Sequence, residues 1–187
     1  MNYSHVWRGF ALVLVTALAL TFPGPALADT AAEIDREVDA ALQKLYRDVP
    51  AAKDLAKVAK GILVFPNVIK AGLVVGGQYG NGALRKGDKT VGYYRTVAAS
   101  YGLQAGAQSF GYALFFLNES ALKYLNSSKG WEIGVGPSIV VVDEGLAGSM
   151  TTTTAKEDIY AFFFGQKGLM AGLGIQGSKI TRITPDQ

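Results

Sequence analysis

The chain has 187 residues, a formal net charge of +3 and no cysteine, and its single histidine is His5. No disulfide can hold the fold, no thiol can act as a nucleophile, and beyond residue 5 neither a histidine base nor the usual zinc ligands exist. The excess of positive charge is too small for the clustered basic footprint that nucleic-acid binding needs.

Residues 1–28 have the three parts of a secretion signal. Arg8 is the one basic side chain of the start, Phe10–Phe22 is an apolar run, and Pro23-Gly24-Pro25 breaks it before Ala26-Leu27-Ala28. The run is shorter than the roughly 20 residues that span a bilayer as a helix. Cleavage after Ala28 is expected, with residues 29–187 forming a single domain that is periplasmic or secreted. With no cysteine, lipid attachment at the cut site is excluded.

The next stretch predicts helices over residues 29–60. Thr30 and Glu33 form a capping box, and Ile34, Val38, Ala41, Leu42 and Leu45 recur at helical spacing. Pro50 suits the first turn of a second helix, predicted to point Leu55, Val58 and Ala59 inward and to end at Gly61. From there the texture is that of strands, many of them rich in glycine. Candidates are 62–65 (ending at Pro66), 69–79, 83–86, 90–100, 103–117, 131–142, 149–154, 158–165 and 168–183. A short helix over 119–125, capped by Asn118, interrupts them. Close turn signals with no helix recurring between strands favour an antiparallel arrangement. The predicted class is α+β, with N-terminal helices followed by a glycine-rich, mainly antiparallel β-sheet or partly closed barrel.

Several motifs dissolve on inspection. Gly172-Leu173-Gly174-Ile175-Gln176-Gly177 matches a dinucleotide-binding loop, but the alternating residues 178–183 read as a strand where that chemistry needs a helix N-terminus. Asp143-Glu144 and Glu157-Asp158 are adjacent acids, which point to opposite faces of a strand and suit solvated turns better than an acid–base pair or a cation site. Asn118 and Asn126 begin glycosylation patterns that carry little weight alone. Thr151–Thr154 and the aromatic runs fit half-exposed or buried strand faces.

Lys53, Lys57 and Lys60 are spaced i, i+4 and i+7, on one face of the second predicted helix. A basic amphipathic helix can rest on an anionic membrane. The same spacing equally suits a solvated outer face of a helix packed on a sheet.

Longer segments carry a resemblance. Ala59-Lys60-Gly61-Ile62-Leu63-Val64-Phe65-Pro66 and residues 70–82 (Lys70 to Gly82) are similar to the opening of the SYLF domain. Residues 131–137, 160–173 and 176–180 continue the likeness in order along the chain. The resemblance implies lipid binding, since eukaryotic members are phosphoinositide-binding, actin-associated proteins that engage membranes through an amphipathic helix and basic residues. Of the basic positions within the matching segments, Lys60 and Lys70 are carried over as lipid-binding candidates, whereas Lys53 and Lys57 rest on helical spacing. A secretion signal would remove this domain from cytoplasmic actin, and in a bacterial envelope a common anionic phospholipid is the expected ligand.

The expected function is an exported, non-enzymatic domain that binds anionic phospholipid through Lys53, Lys57, Lys60 and Lys70 with adjacent apolar surface. No catalytic residue, metal site or cofactor is expected, and no nucleic-acid partner. The alternative is an envelope structural or protein-interaction module that uses an exposed sheet edge to hold an envelope protein.

Overall fold

The computed structural model describes residues 29–72, 75–101, 106–127, 129–168, 175 and 177–186. The secretion signal expected at 1–28 lies outside these residues, as does most of the 172–177 motif.

Helix α1 (Ala31–Asp48) opens with the predicted capping box. Thr30 Oγ1 accepts from the Glu33 N–H at 3.3 Å, and Glu33 Oε2 accepts from the Thr30 N–H at 3.0 Å. Ile34, Val38 and Leu45 form its buried stripe. Helix α2 (Pro50–Ala56) has Pro50 in its first turn and buries Ala52 and Leu55. It ends sooner than the sequence suggests. The N–H groups of Lys57 and Val58 close on Asp54 and Leu55, so Val58 turns to solvent instead of inward.

Eight strands follow: β1 (Gly61–Gly72), β2 (Val75–Lys86), β3 (Lys89–Tyr101), β4 (Gly106–Phe116), β5 (Trp131–Glu132), β6 (Ile139–Val142), β7 (Ile159–Gly168) and β8 (Lys179–Ile183). Between β4 and β5 lie the short helix α3 (Glu119–Leu122), capped by Asn118 as expected, and a 3-10 turn (Lys123–Asn126). The strands form one sheet in the order β5-β8-β3-β2-β1-β4-β7-β6. Every pairing is antiparallel except β6 with β7. The sheet curls into a half-barrel, so the predicted α+β class and the partly closed barrel hold.

Period-two alternation divides the core between the two faces of the sheet. Leu63, Phe65, Tyr112, Leu114 and Phe116 point to one side, with Ile180 of β8 and Ile159 of β7 in the same cluster. Those two strands are separated by four others, so this side is the concave one. Trp131, Leu122 and Leu125 plug it. Ile62, Val64, Ala113, Phe115, Tyr160 and Phe162 point to the convex side, where Ile34, Val38, Leu45 and Leu55 of α1 and α2 cover them.

Four strand expectations are corrected. Residues 69–79 are not one strand: Ile69 of β1 pairs with Tyr79 of β2 on the facing strand. Pro66 does not end a strand; β1 runs through it, with the register shifting between Phe65 and Val68 against β4. A bulge leaves one residue unpaired, which accommodates a proline without an N–H. Residues 131–142 are not one strand, because Gly134 and Gly136 take positive φ and split β5 from β6. Residues 149–154 are not a strand either. Helix α4 (Glu144–Ser149) occupies the start, and Thr151 and Thr154 fold onto each other, Thr151 N–H to Thr154 Oγ1 at 2.9 Å.

Two glycines let the curl close up. A Cβ on Gly82 of β2 would collide with the Val64 carbonyl of β1, and one on Gly111 of β4 with the Phe164 ring of β7. Gly82→Ala should therefore cost about 1–3 kcal/mol in urea unfolding. Gly148 of α4 has open space around it, so Gly148→Ala should instead gain about 0.5–1 kcal/mol.

Asp158 joins three elements at the head of β7. Its carboxylate accepts from Asn118 Nδ2 at 2.7 Å and from the Ser138 N–H at 2.9 Å. The Ser138 N–H, followed by the Asn118 amide, holds the carboxyl below its ordinary value. A depressed folded-state pKa stabilises the fold above the unfolded value of about 3.9, and this contribution is lost as pH falls through the folded value. Asp158→Asn should be less stable than the parent near pH 6. The gap should narrow below about pH 4, as followed by chemical denaturation at each pH.

Candidate functional site

The four lysines singled out in the sequence fall in two places. Lys53 lies on α2, Lys57 caps its C-terminus and Lys60 follows the turn before β1. All three are exposed. Because α2 stops at Ala56, they do not share one continuous helical face, although they stay on one short segment. Lys57 Nζ bonds Asp54 Oδ1 at 2.6 Å, and this bond, followed by the charge of Lys57, lowers the Asp54 carboxyl. Lys60 is fixed through its backbone, its N–H donating to the Phe116 carbonyl at 2.7 Å.

Lys70 is elsewhere. It stands on β1 past the bulge, half-buried, paired in register with Gln78 of β2 and Gln108 of β4. Alternation from Val68 places this row on the concave side. Here the interior is polar, unlike the aromatic interior at the other end of the strands. Gln78 Nε2 donates to Ser178 Oγ at 3.3 Å, and Tyr112 donates its hydroxyl to Thr96 at 2.9 Å. Burial pushes the Tyr112 phenol far up, so it stays neutral. Gln108 Oε1 is buried with no hydrogen-bond partner among the described residues. Sequence reasoning missed this row, although Lys70, Gln78 and Gln108 stand out as polar residues among glycines and apolar side chains.

Beside α2 the surface is apolar. A groove of about 840 Å³ runs between the α1–α2 junction (Val49, Pro50, Ala51), β6 (Val141, Val142) and β7 (Phe162, Phe163). The acids at its margin are already engaged. Asp48 is held by Lys44 at 2.8 Å, a bond that lowers its carboxyl, and Asp143 accepts from the Leu146 N–H at 2.8 Å as the cap of α4. Among the described residues no cluster of His, Cys, Asp and Glu has the makings of a metal site, and no described helix is long and apolar enough to cross a membrane.

The domain is an α+β half-barrel whose helix α2 lines an apolar groove with its first turn and carries the exposed Lys53. Residues 97–185 match the family model Ysc84, described as the Las17-binding protein actin regulator, a match consistent with the SYLF resemblance of the sequence. The match runs from the middle of β3 past the end of β8, and the 59–82 segments that carry the likeness in the sequence lie upstream of it. Comparison with curated proteins gave no match.

Among the described residues nothing replaces the hydration that the Gln108 carbonyl loses on folding, a cost of about 1–3 kcal/mol. Gln108→Met keeps the shape of the side chain and removes the acceptor. It should raise the urea midpoint by an amount equivalent to about 1 kcal/mol.

Proposed function

We propose that this protein is an exported, non-enzymatic lipid-binding domain that engages anionic phospholipid through Lys53, Lys57 and Lys60 and the apolar surface beside them. The observation that carries this reading is the position of the three exposed lysines on the segment whose first turn lines the apolar groove. Lysine heads meet lipid phosphates while apolar side chains meet the acyl boundary. Residues 29–187 contain neither histidine nor cysteine, which supports binding over catalysis. The signal-like residues 1–28 favour a periplasmic or secreted location, where the lipid is the relevant partner and actin is out of reach.

A second reading uses β6. It is an edge strand paired only with β7, and Val141 on it is exposed. An extended segment of an envelope protein could add to this edge. Crosslinking in cells that recovers one protein and no lipid would favour that reading.

The test of the first is co-sedimentation of the protein, recovered from its own envelope and expected to begin at Asp29. Vesicles of phosphatidylglycerol and phosphatidylcholine should bind it, and pure phosphatidylcholine should not. Each lysine near an anionic surface contributes about 1 kcal/mol, so K53E/K57E/K60E should weaken partitioning by at least about tenfold. Equal binding to both vesicle types would refute the lipid reading.

A further inference from the structure

The convex side of the sheet is covered by helices over only part of its length. Toward the β1–β2 turn nothing among the described residues lies on it, and large apolar side chains are exposed: Ile69 at 53%, Val75 at 61%, Tyr79 at 46% and Val97 at 44%. The strand register arranges this surface in rows. Lys167 of β7 pairs with Ser109 of β4, Ser109 with Ile69, Ile69 with Tyr79, Tyr79 with Val97, and Val97 with Lys179 of β8. Paired residues on neighbouring strands point to the same face. One continuous row therefore crosses six strands with a lysine at each end and apolar side chains in its middle. Both lysines are exposed. Five inter-strand spacings put them about 24 Å apart along the curve.

The adjoining row toward the strand tips is Ala107–Ala71–Gly77–Ala99, small and apolar, so the surface there is low. On the other side Arg95 stacks over the Tyr79 ring at 5.1 Å, adding a third cation. No acid stands between the two lysines; the first, Glu132 of β5, lies beyond Lys179.

We propose that this lysine-bracketed face, centred on Ile69, Tyr79 and Val97, is the surface that lies on an anionic bilayer. The proposal rests on the lipid-binding reading and assigns it a contact surface that the α2 lysines do not include. The charges choose the occupant. Apolar side chains in the centre enter the acyl boundary, and flexible lysine stems carry their charges outward to a ring of phosphates. A neutral surface or an apolar protein groove would offer Lys167 no anionic partner and would leave Lys179 only Glu132 beside it.

The chain has no native cysteine, so Val97→Cys gives a single attachment point for an environment-sensitive fluorophore. Thr153→Cys, on the exposed threonine turn, is the control. With vesicles of equal parts phosphatidylglycerol and phosphatidylcholine, the Val97 label should shift to the blue and the Thr153 label should not. Ile69→Ser with Val97→Ser, and separately Lys167→Glu with Lys179→Glu, should each weaken partitioning by about tenfold. These side chains are exposed, and an unchanged urea midpoint will confirm that the variants fold.

Vesicle binding with no shift at residue 97 and no loss in either variant pair overturns this proposal and leaves the lipid reading intact. Absence of vesicle binding overturns both. A Val97 label that shifts with protein concentration alone means that a second copy covers the face. One already shielded in dilute free protein means that another part of the chain covers it. Either of those results also overturns the proposal.

Discussion

Arg85 is a cation buried to 8% side-chain exposure on β2, and the placement of α1 follows from it. A charge withdrawn from water must find partners. Asp39 of α1 bonds its guanidinium at 2.7 Å, and Asp35, one turn earlier, lies at 3.4 Å. Asp35 is itself gripped by the Thr90 hydroxyl at 2.6 Å and the Tyr93 hydroxyl at 2.9 Å, both from β3. Burial and the bond to Asp35 raise the Tyr93 phenol, so it remains a donor. The network stitches α1 across two strands at one height. Its first turn then falls beside Asn81, which bonds Asp29 at 2.9 Å. Helix cover therefore begins at that level, and no described helix lies over the rows from Tyr79 to the strand tips.

The same division runs through the sheet's interior. Where helices cover the convex side, β1, β4 and β7 are buried on both faces and read as unbroken apolar runs such as Phe162-Phe163-Phe164. Past the bulge at Pro66 the pattern inverts: the concave side turns polar at Lys70, Gln78 and Gln108, and the convex side turns apolar and open. One continuous sheet thus serves as a two-sided core at one end and as a surface with two distinct chemistries at the other.

Much of this was legible in local patterns. The capping box at Thr30, the stripe of α1, the Asn118 cap and the α+β order need only neighbouring residues. Pro66 misled because a bulge, which depends on the partner strand, removes the penalty that a proline usually carries. The threonine run misled because β-branching favours strands, while here the hydroxyls of Thr151, Thr153 and Thr154 bond one another in a turn. The lysine spacing at 53, 57 and 60 assumed a helix that stops at Ala56. Lys167 and Lys179 lie in segments that carry the resemblance but gave no sign of acting together, since only the register of five strand pairs brings them to the ends of one row. Lys70 was found by resemblance, but its place opposite two glutamines depends on the same register.

The half-barrel ends on its two shortest strands, β5 with two residues and β6 with four. An open sheet that is not closed into a ring keeps two rows of unpaired backbone groups, and long flat edges recruit other chains. Here the two twelve-residue strands β1 and β2 lie inside the sheet and are paired on both sides. The two terminal strands are too brief to template a second sheet. For a chain without a disulfide to lock it, that arrangement is a built-in guard against fibril-like self-association.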